Sequence, residues 1–436
     1  MRALESLSVP AFRRLATSYT LNELTWSFGT IALAVLVYER TGSALATTLL
    51  FLATTFAPAL LAPALTARLD QFPARRALPG LYLVEAALFA ALVAVSGRFS
   101  LPVVLALALA DGAIAIVARA LTRATVAAAL KPTGALEAGN KVLNVLFSVA
   151  YATGPAVAGV VVAAAGVRVS LAICAGLFGL MALALATARS LPSTPRTGDR
   201  SWLARLRGGL AYVRANRAVR RVLGAHASIL ALGAVLSPTE VVYATESLHV
   251  GARGYGILLA AWGIGTVLSS VTLARARNAS PIVLIPLSGG AMGAGFLIMG
   301  VAPVLAIAAA GSLLGGAGNG AYFVSVVQAI QDRIPDDLQA RVMGLLESVT
   351  AGAFGVGFLL GGALAALADA RFAILFAGTG VLVACAAVVH LLRGDRAAPA
   401  AASMVTEVRA REPAGPGPAA AHDAPAQVPA PEPTAA

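Results

Sequence analysis

The sequence contains few charged residues: Asp, Glu, Lys and Arg make up 12% of its 436 residues, whereas hydrophobic residues make up 58%. In an ordinary soluble domain about a quarter of the residues are charged. A chain of this length folded in water needs more polar surface than this sequence supplies. The scarcity of charge therefore argues against a soluble enzyme.

Cysteine and lysine are also scarce, with two residues of each. Cys174 and Cys385 both lie inside apolar runs, so the sequence offers neither a disulfide framework nor a paired-cysteine metal site. Neither Lys131 nor Lys141 follows a glycine, which excludes the GxxxxGK[ST] loop of ATP-driven transport. GxSxG and HExxH are absent as well. We therefore predict no enzymatic activity, no metal and no cofactor.

Long apolar runs make up most of the chain. A bilayer core about 30 Å thick is crossed by about 20 apolar residues of helix. Runs of that length, separated by charged or turn residues, predict an all-α membrane protein with twelve transmembrane helices. The first run is too long for a secretory leader, contains Glu23 and ends without a cleavage site, so we interpret it as a retained span. The predicted spans are 15–38, 44–66, 77–96, 101–121, 142–164, 169–188, 222–243, 254–274, 281–300, 303–325, 342–366 and 370–392.

Basic residues exceed acidic residues, 32 to 20, which gives a formal net charge of +12. Lys and Arg accumulate in cytoplasmic loops of membrane proteins. With the N-terminus inside, all basic residues fall in inner segments except Arg40, Arg98, Arg168, Arg253 and Arg371. The excess positive charge therefore indicates topology and not nucleic-acid binding. It predicts a multi-pass protein of the inner or plasma membrane with both termini in the cytoplasm.

The connections between spans suggest an internal repeat. The stretch TVAAALKPTGALEAGNKV, ending at Val142, aligns with SVVQAIQDRIPDDLQARV, ending at Val342. Each continues a span into a charged inner loop and starts the next span, so the connection between spans 4 and 5 recurs between spans 10 and 11. Parallel repeats of this kind are a known transporter design.

The same reasoning predicts four regions along the chain. A six-helix bundle occupies 1–188, and a second occupies 222–393. Residues 189–221 form a basic cytoplasmic linker whose apolar residues are spaced as in an amphipathic helix lying on the membrane surface. Residues 394–436 are rich in Ala and Pro and cannot bury a core, so we predict a disordered cytoplasmic tail.

Several motifs resemble those of the major facilitator superfamily, in the branch that contains the enterobactin exporter and related drug-efflux carriers. The motifs are AFRRL at 11–15, LVYERTGSAL at 36–45, GPAVAG at 154–159, LRGGLAYVRANRAVRR at 206–221, GARGYGILLAAWGIG at 251–265, and GAGNGAYFVSVVQ with IPDDLQARVMGL within 316–345. The resemblance implies two parallel six-helix repeats that alternately open a central cavity to either side of the membrane. It also implies a monomer that binds a small molecule and protons.

The loop between spans 2 and 3 carries a superfamily signature. Asp70 matches its acidic position, and Arg75 and Arg76 match its basic end. In the family this Asp closes the two halves on the cytoplasmic side by facing the start of span 11, a helix N-terminus with partial positive charge. The resemblance assigns this latch role to Asp70. The alternative is a solvated loop acid that offsets Arg68.

Span 5 contains Gly154, Pro155 and Gly159, which resemble the kinked-helix signature of the antiporter branch. Proline kinks a membrane helix, and small residues let helices pack closely. The resemblance connects this signature with export. The alternative is a structural kink that has no effect on transport direction.

Acidic residues inside the spans are the clearest sign of function, because a charge near the bilayer centre costs about 2.5–3.5 kcal/mol on insertion scales. We single out Glu23, Glu85, Asp111 and Glu347. A buried carboxyl group favours its neutral form and can take up and release a proton between states. All four are candidates for proton coupling, and the alternative is an interhelical hydrogen bond that fixes packing.

Polar and aromatic residues point to the substrate cavity. Several on span 1 recur every three or four residues and share one helix face with Glu23. Because the family's cavity is lined chiefly by spans 1, 4, 7 and 10, Glu23 and Asp111 are favoured there, and Arg119 and Arg123 could pair with acids at the inner mouth. The cavity candidates are Tyr19, Asn22, Trp26, Tyr151, Glu240, Trp262, Asn319 and Tyr322.

We conclude from the sequence that the chain is a secondary active transporter, with proton-coupled efflux of a small amphiphilic or hydrophobic compound as the favoured activity. The export direction rests on the resemblance. Uptake of a nutrient or metabolite with protons is an alternative within the same fold. A membrane scaffold or sensor is an alternative of another class, and it would not need buried acids on cavity-lining helices.

Overall fold

The computed structural model describes residues 6–61, 73–187, 191, 217–275, 281–331 and 336–395. These ranges contain helices and short connections and no β-strand. Met1–Val389 form one compact unit. The second unit, His390–Ala436, is described only over 390–395, the end of the last helix. Most of the predicted linker 189–221 and almost all of the predicted tail 394–436 lie outside the described residues.

The helices follow the apolar runs of the sequence, and we number them α1 to α12 in chain order. A π-helical turn, Leu52–Phe56, prolongs α2. Helix α7 is prolonged by Leu236–Val242 and the π-helical turn Tyr243–Ser247. The bounds are α1 Pro10–Thr41, α2 Ala44–Phe51, α3 Ala74–Gly97, α4 Leu101–Leu130, α5 136–165, α6 167–186, α7 Arg217–Ala234, α8 Gly251–Arg275, α9 Pro281–Val301, α10 Leu305–Gln331, α11 Asp336–Leu367 and α12 Ala370–Asp395.

Glycines with left-handed backbone angles separate consecutive helices. Helices α5 and α6 form one helical stretch, Leu136–Ala186, that breaks at Gly166 with φ of 82°. Without the break, its 51 residues would extend about 75 Å, more than twice the thickness of a bilayer core. Gly42, with φ of 57°, ends α1 by donating its N–H to the carbonyl of Tyr38 at 2.8 Å. Only glycine adopts these angles without steric cost.

Among the described residues, nine helices are long and apolar enough to cross a membrane. Each predicted span overlaps one of α1 to α12, but Leu136–Ala186 counts once among the nine, and the glycine-rich helices α8 and α10 are not among them. The all-helical membrane fold is confirmed. The number of twelve crossings stays a prediction.

Helix α5 packs closely against the C-terminal part of the chain. A Cβ atom placed on Gly159 would lie 2.7 Å from the Cα atom of Gly256 on α8, and one placed on Gly256 would lie 2.7 Å from the carbonyl oxygen of Pro155. These distances leave no room for a side chain at either glycine. On the opposite side, a Cβ atom on Gly154 would lie 2.7 Å from the Ser27 hydroxyl oxygen of α1.

Candidate transport site

Glu23 of α1 forms an ion pair with Arg119 of α4. Arg119 Nε lies 3.2 Å from Glu23 Oε1, and Arg119 Nη2 donates a hydrogen bond to Glu23 Oε2 at 3.4 Å. The glutamate side chain is 4% exposed and the arginine side chain 37% exposed. A carboxylate buried this deeply is stable in its charged form only beside a cation, and Arg119 supplies that cation.

One turn away, the same two helices make a second contact. Arg123 Nη2 donates a hydrogen bond to the Tyr19 hydroxyl at 3.2 Å, and the guanidinium lies 5.9 Å from the centre of the Tyr19 ring. Tyr19 precedes Glu23 by four residues, whereas Arg123 follows Arg119 by four, so α1 and α4 run antiparallel. The sequence suggested acid partners for both arginines. Only Arg119 has one among the described residues.

A second acid, Glu85, lies close to Arg119, and a third, Asp111, lies close to Glu85. Glu85 of α3 is fully buried. Asp111 of α4 and Arg119 both lie close enough to Glu85 to interact with it electrostatically. Neither carboxyl oxygen of Glu85, nor Oδ1 of Asp111, has a hydrogen-bond partner among the described residues. We call Glu23, Glu85, Asp111 and Arg119 the acid cluster. It brings together three of the four acids that the sequence singled out, and Arg119 lies near two of them, Glu23 and Glu85.

A separate cavity of about 310 Å³ lies within the same compact unit. Residues from α1, α2, α5 and α7 to α11 line it, whereas no residue of α3 or α4 does. Its wall is largely apolar and aromatic, and it holds four of the predicted cavity residues. These are Trp26, Glu240, Trp262 and Asn319.

Aromatic rings form much of the cavity wall. Phe51 of α2 lies 5.6 Å, between ring centres, from Phe358 of α11, which stacks on Phe354 at 6.0 Å. Trp262 of α8 stacks on Phe296 of α9 at 5.7 Å with an interplanar angle of 12°. Contacts among the rings fix their orientation. The cavity is therefore a preformed aromatic site.

Glu240, on the extension of α7, brings the one acidic group to this wall. Its side chain is 2% exposed, and Oε1 has no hydrogen-bond partner among the described residues. Within the described lining of the cavity, every other side chain is uncharged. No arginine or lysine of the described residues forms an ion pair with Glu240.

Comparisons with known proteins agree with this architecture. The model of the transmembrane secretion effector family, a family of the major facilitator superfamily, matches residues 1–411. The chain belongs to this family. No curated protein matches the transporter significantly.

Solved structures similar to the transporter share its fold at low sequence identity. The nucleoside transporter NupG has a TM-score of 0.70 and 13% identity, and the match covers 88% of this chain and 99% of NupG. The POT family transporter PepTSo has a TM-score of 0.70 and 10% identity, and the match covers 90% of this chain and 99% of PepTSo. A D-xylose–proton symporter has a TM-score of 0.61 and 16% identity, and the match covers 86% of this chain and 96% of the symporter. These similarities show the major facilitator fold and nothing of the substrate.

Three predicted cavity residues of the transporter lie elsewhere. Tyr19 bonds to Arg123, and Asn22 is buried without lining the cavity. Tyr322 bonds through its hydroxyl to His226 Nδ1 at 3.2 Å, and the two rings stack 5.7 Å apart. The side chain of Tyr151 lies outside the part that the structure describes. The prediction that α4 lines the cavity also differs from the structure, because α4 packs its polar side chains against α1 and α3.

His226 of the transporter joins three helices. Its Nε2 lies 3.2 Å from Thr350 Oγ1 of α11, so the imidazole bridges α7, α10 and α11. The sequence indicated no such role, because the partners are distant along the chain. Tyr82 of α3 was also not predicted. Its side chain is buried. The phenol lies close enough to Glu85, Glu23 and Arg119 to interact electrostatically with all three.

The remaining predicted residues carry less structural information. Asp70 lies outside the described residues, as does the side chain of Glu347. Arg75 and Arg76 are exposed in the first turn of α3. Pro155 lines the cavity, and the backbone angles of Leu136–Ala186 depart from helical values at Gly166, not at the proline. The latch and the proline kink therefore stay predictions.

Proposed function

We propose that the transporter exports a small amphiphilic or hydrophobic compound in exchange for protons. It would do so in the plasma membrane as a monomer with cytoplasmic termini, by rocking of the predicted halves 1–188 and 222–393. The observation that carries the proposal is the separation of the aromatic cavity from the acid cluster. The cavity offers apolar surface for a substrate, and the cluster offers buried carboxyl groups for protons.

The acid cluster fits proton coupling because it holds more acids than cations. Arg119 balances the charge of Glu23, which leaves Glu85 and Asp111 without a hydrogen-bonded cation among the described residues. Two neighbouring carboxyl groups in an apolar environment cannot both be charged at low cost. A bound proton relieves this repulsion, and a change in helix packing that admits water would release it.

Export is supported by membership of the transmembrane secretion effector family. Everted vesicles from cells producing the transporter test it with a lipophilic dye such as Hoechst 33342. We expect accumulation of the dye when respiration acidifies the vesicle interior, and loss of accumulation with an uncoupler. The fold also serves a D-xylose–proton symporter. Uptake is therefore the second candidate, and accumulation only in right-side-out vesicles would favour it over export.

Neutral-amide variants test which acids carry the proton. We expect Glu23→Gln or Asp111→Asn to abolish the dependence of dye transport on the pH gradient while membrane insertion stays normal. Glu85→Gln is the third variant of the set. Glu39→Gln, an exposed acid on the same helix as Glu23, is the matched control. Full coupling in all three cluster variants would refute the proton assignment.

A further inference from the structure

We propose that the cavity binds an organic ammonium cation and that Glu240 is the counter-charge that selects it. The proposal rests on the transport function proposed above, and it names the substrate class of the aromatic cavity. The distinguishing features of such a substrate are an aromatic or aliphatic body and one permanent or protonated ammonium group.

The first argument is the isolation of Glu240. A buried carboxyl group normally has a hydrogen-bond or ionic partner. Glu240 is 2% exposed and lies on the cavity wall, and its Oε1 has no hydrogen-bond partner among the described residues. This oxygen remains without a partner until something enters the cavity. A ligand that carries a cation would complete it.

The second argument is the contrast with Glu23. That glutamate is also buried, but Arg119 provides its cation from within the protein. No described side chain plays this part for Glu240, and the described cavity lining contains no arginine, lysine or histidine. An anionic ligand would find a carboxyl group and no positive charge here. A ligand cation would stabilise the carboxylate form of Glu240, whereas an anion would meet no compensating charge, so the wall selects in favour of cations.

The third argument is the aromatic wall. A cation is attracted to the face of an aromatic ring, most strongly to that of tryptophan. Trp26 and Trp262 both line the cavity with Glu240, together with phenylalanine and tyrosine rings. Trp26 is 41% exposed although it lies in the middle of α1, so part of its surface is available to a ligand. Acid and rings together complement both parts of an amphiphilic ammonium ion.

The cavity volume limits the size of the ligand. At about 310 Å³ it lies at the lower end of the range of about 300–1,000 Å³ found for ligand pockets. A ligand with one aromatic ring and a trimethylammonium group is small enough to enter. Benzyltrimethylammonium and neopentylbenzene form a suitable pair of probes, since they differ only in the replacement of the charged nitrogen by carbon.

The test measures equilibrium binding of each probe to the purified full-length transporter in detergent. We expect the wild-type protein to bind the ammonium probe more tightly than the carbon analogue. We expect Glu240→Gln to weaken binding of the ammonium probe about tenfold or more, because a charged partner is lost. Binding of the carbon analogue should change less than about twofold, since the cavity keeps its shape. Glu39→Gln should leave both affinities unchanged.

Controls separate loss of charge from loss of fold. Glu240→Asp keeps the charge on a shorter side chain and should retain a preference for the ammonium probe, whereas Glu240→Gln should lose it. Elution of Glu240→Gln as a folded species on size exclusion, with wild-type affinity for the carbon analogue, shows that its cavity is intact. Equal affinity of the wild-type protein for both probes, no measurable binding of the ammonium probe, or an unchanged affinity in Glu240→Gln would overturn the proposal.

The binding test also distinguishes this inference from the proposed function. It uses no proton gradient and no membrane direction. Ammonium binding that depends on Glu240, without dye export in vesicles, would refute export and leave the assignment of the cavity standing. Proton-driven dye export with no effect of Glu240→Gln on ammonium binding would refute the assignment and leave export standing.

Discussion

Glu23 and Glu240 are both buried glutamates on membrane helices, but the protein supplies a cation to Glu23 and none to Glu240 among the described residues. The cost of burying a carboxylate is the same kind of cost at both sites. At Glu23 it is offset by Arg119, a cation of the protein itself. At Glu240 we propose that the cation of a bound ligand offsets this cost. Under the two proposals above, the same residue type would serve coupling at Glu23 and ligand recognition at Glu240.

The largest effect is expected from removing Arg119, the cation that pairs with Glu23. Arg119→Gln leaves the buried Glu23 without its cation, and we expect loss of proton-coupled transport. Removing one partner of a fully buried pair costs about 3–5 kcal/mol. Because the Arg119 side chain is 37% exposed, we expect a smaller loss of about 1–3 kcal/mol. Thermal unfolding in detergent measures the change in stability, with the labelling of the buried thiols of Cys174 and Cys385 as the signal of unfolding.

The double variant Glu23→Gln with Arg119→Gln provides the control. It removes both charges, so its stability should lie above that of Arg119→Gln alone. If the two single changes were simply additive in the double variant, the ion pair would not be the reason for the loss. Transport should remain uncoupled in the double variant, because one acid of the cluster is missing.

A second prediction gives Glu240 the resident cation that it lacks. Ser237 lines the cavity three residues before Glu240, a spacing that brings helical side chains together. We expect Ser237→Lys to lower the affinity for benzyltrimethylammonium about tenfold or more, because the lysine ammonium group would pair with the Glu240 carboxylate in place of the ligand. Ser237→Gln fills similar space without charge and is the matched control. Equal losses in the two variants would indicate steric exclusion in place of charge competition.

A third prediction tests how the close packing of α5 against α8 shapes the cavity. Gly256→Ala places a Cβ atom 2.7 Å from the Pro155 carbonyl oxygen on the cavity-lining helix α5. We expect a loss of stability of about 1–3 kcal/mol from overpacking, together with weaker ammonium binding. Gly179→Ala on α6, where the added methyl group meets nothing within 4 Å, should leave binding unchanged. Unaltered stability and binding in Gly256→Ala would show that α5 and α8 can separate freely.

Much of the fold could be predicted from the sequence, because a membrane helix must be long, apolar and internally hydrogen-bonded. Acids inside the spans were identified for the same reason, since each carries a large cost. Which neighbour each side chain meets could not be predicted. Tyr19, Glu23 and Trp26 share one helix face, yet the first two meet α4 and the third meets the cavity. Helices cross at angles, so one face meets different partners along its length.

The smallest expected effects come from two tyrosines that the sequence placed in the cavity and the structure does not. Tyr19→Phe removes the acceptor for Arg123, and Tyr322→Phe removes the partner of His226. Each should lower stability by about 0.5–1.5 kcal/mol, the usual value of one hydrogen bond. Each should leave ammonium binding within about twofold of wild type, because neither residue lines the cavity.

The two tyrosines should nevertheless differ in coupling. Tyr19 holds Arg123 one turn from the Glu23–Arg119 pair, so its loss frees a second guanidinium beside the acid cluster. A second cation there would stabilise a deprotonated carboxyl group and weaken proton uptake. Tyr322 lies with His226 on other helices, and its loss should leave coupling intact. Proton-driven dye transport by the two variants, compared at equal protein levels, decides the point: equal coupling in both would mean that Arg123 does not influence the cluster.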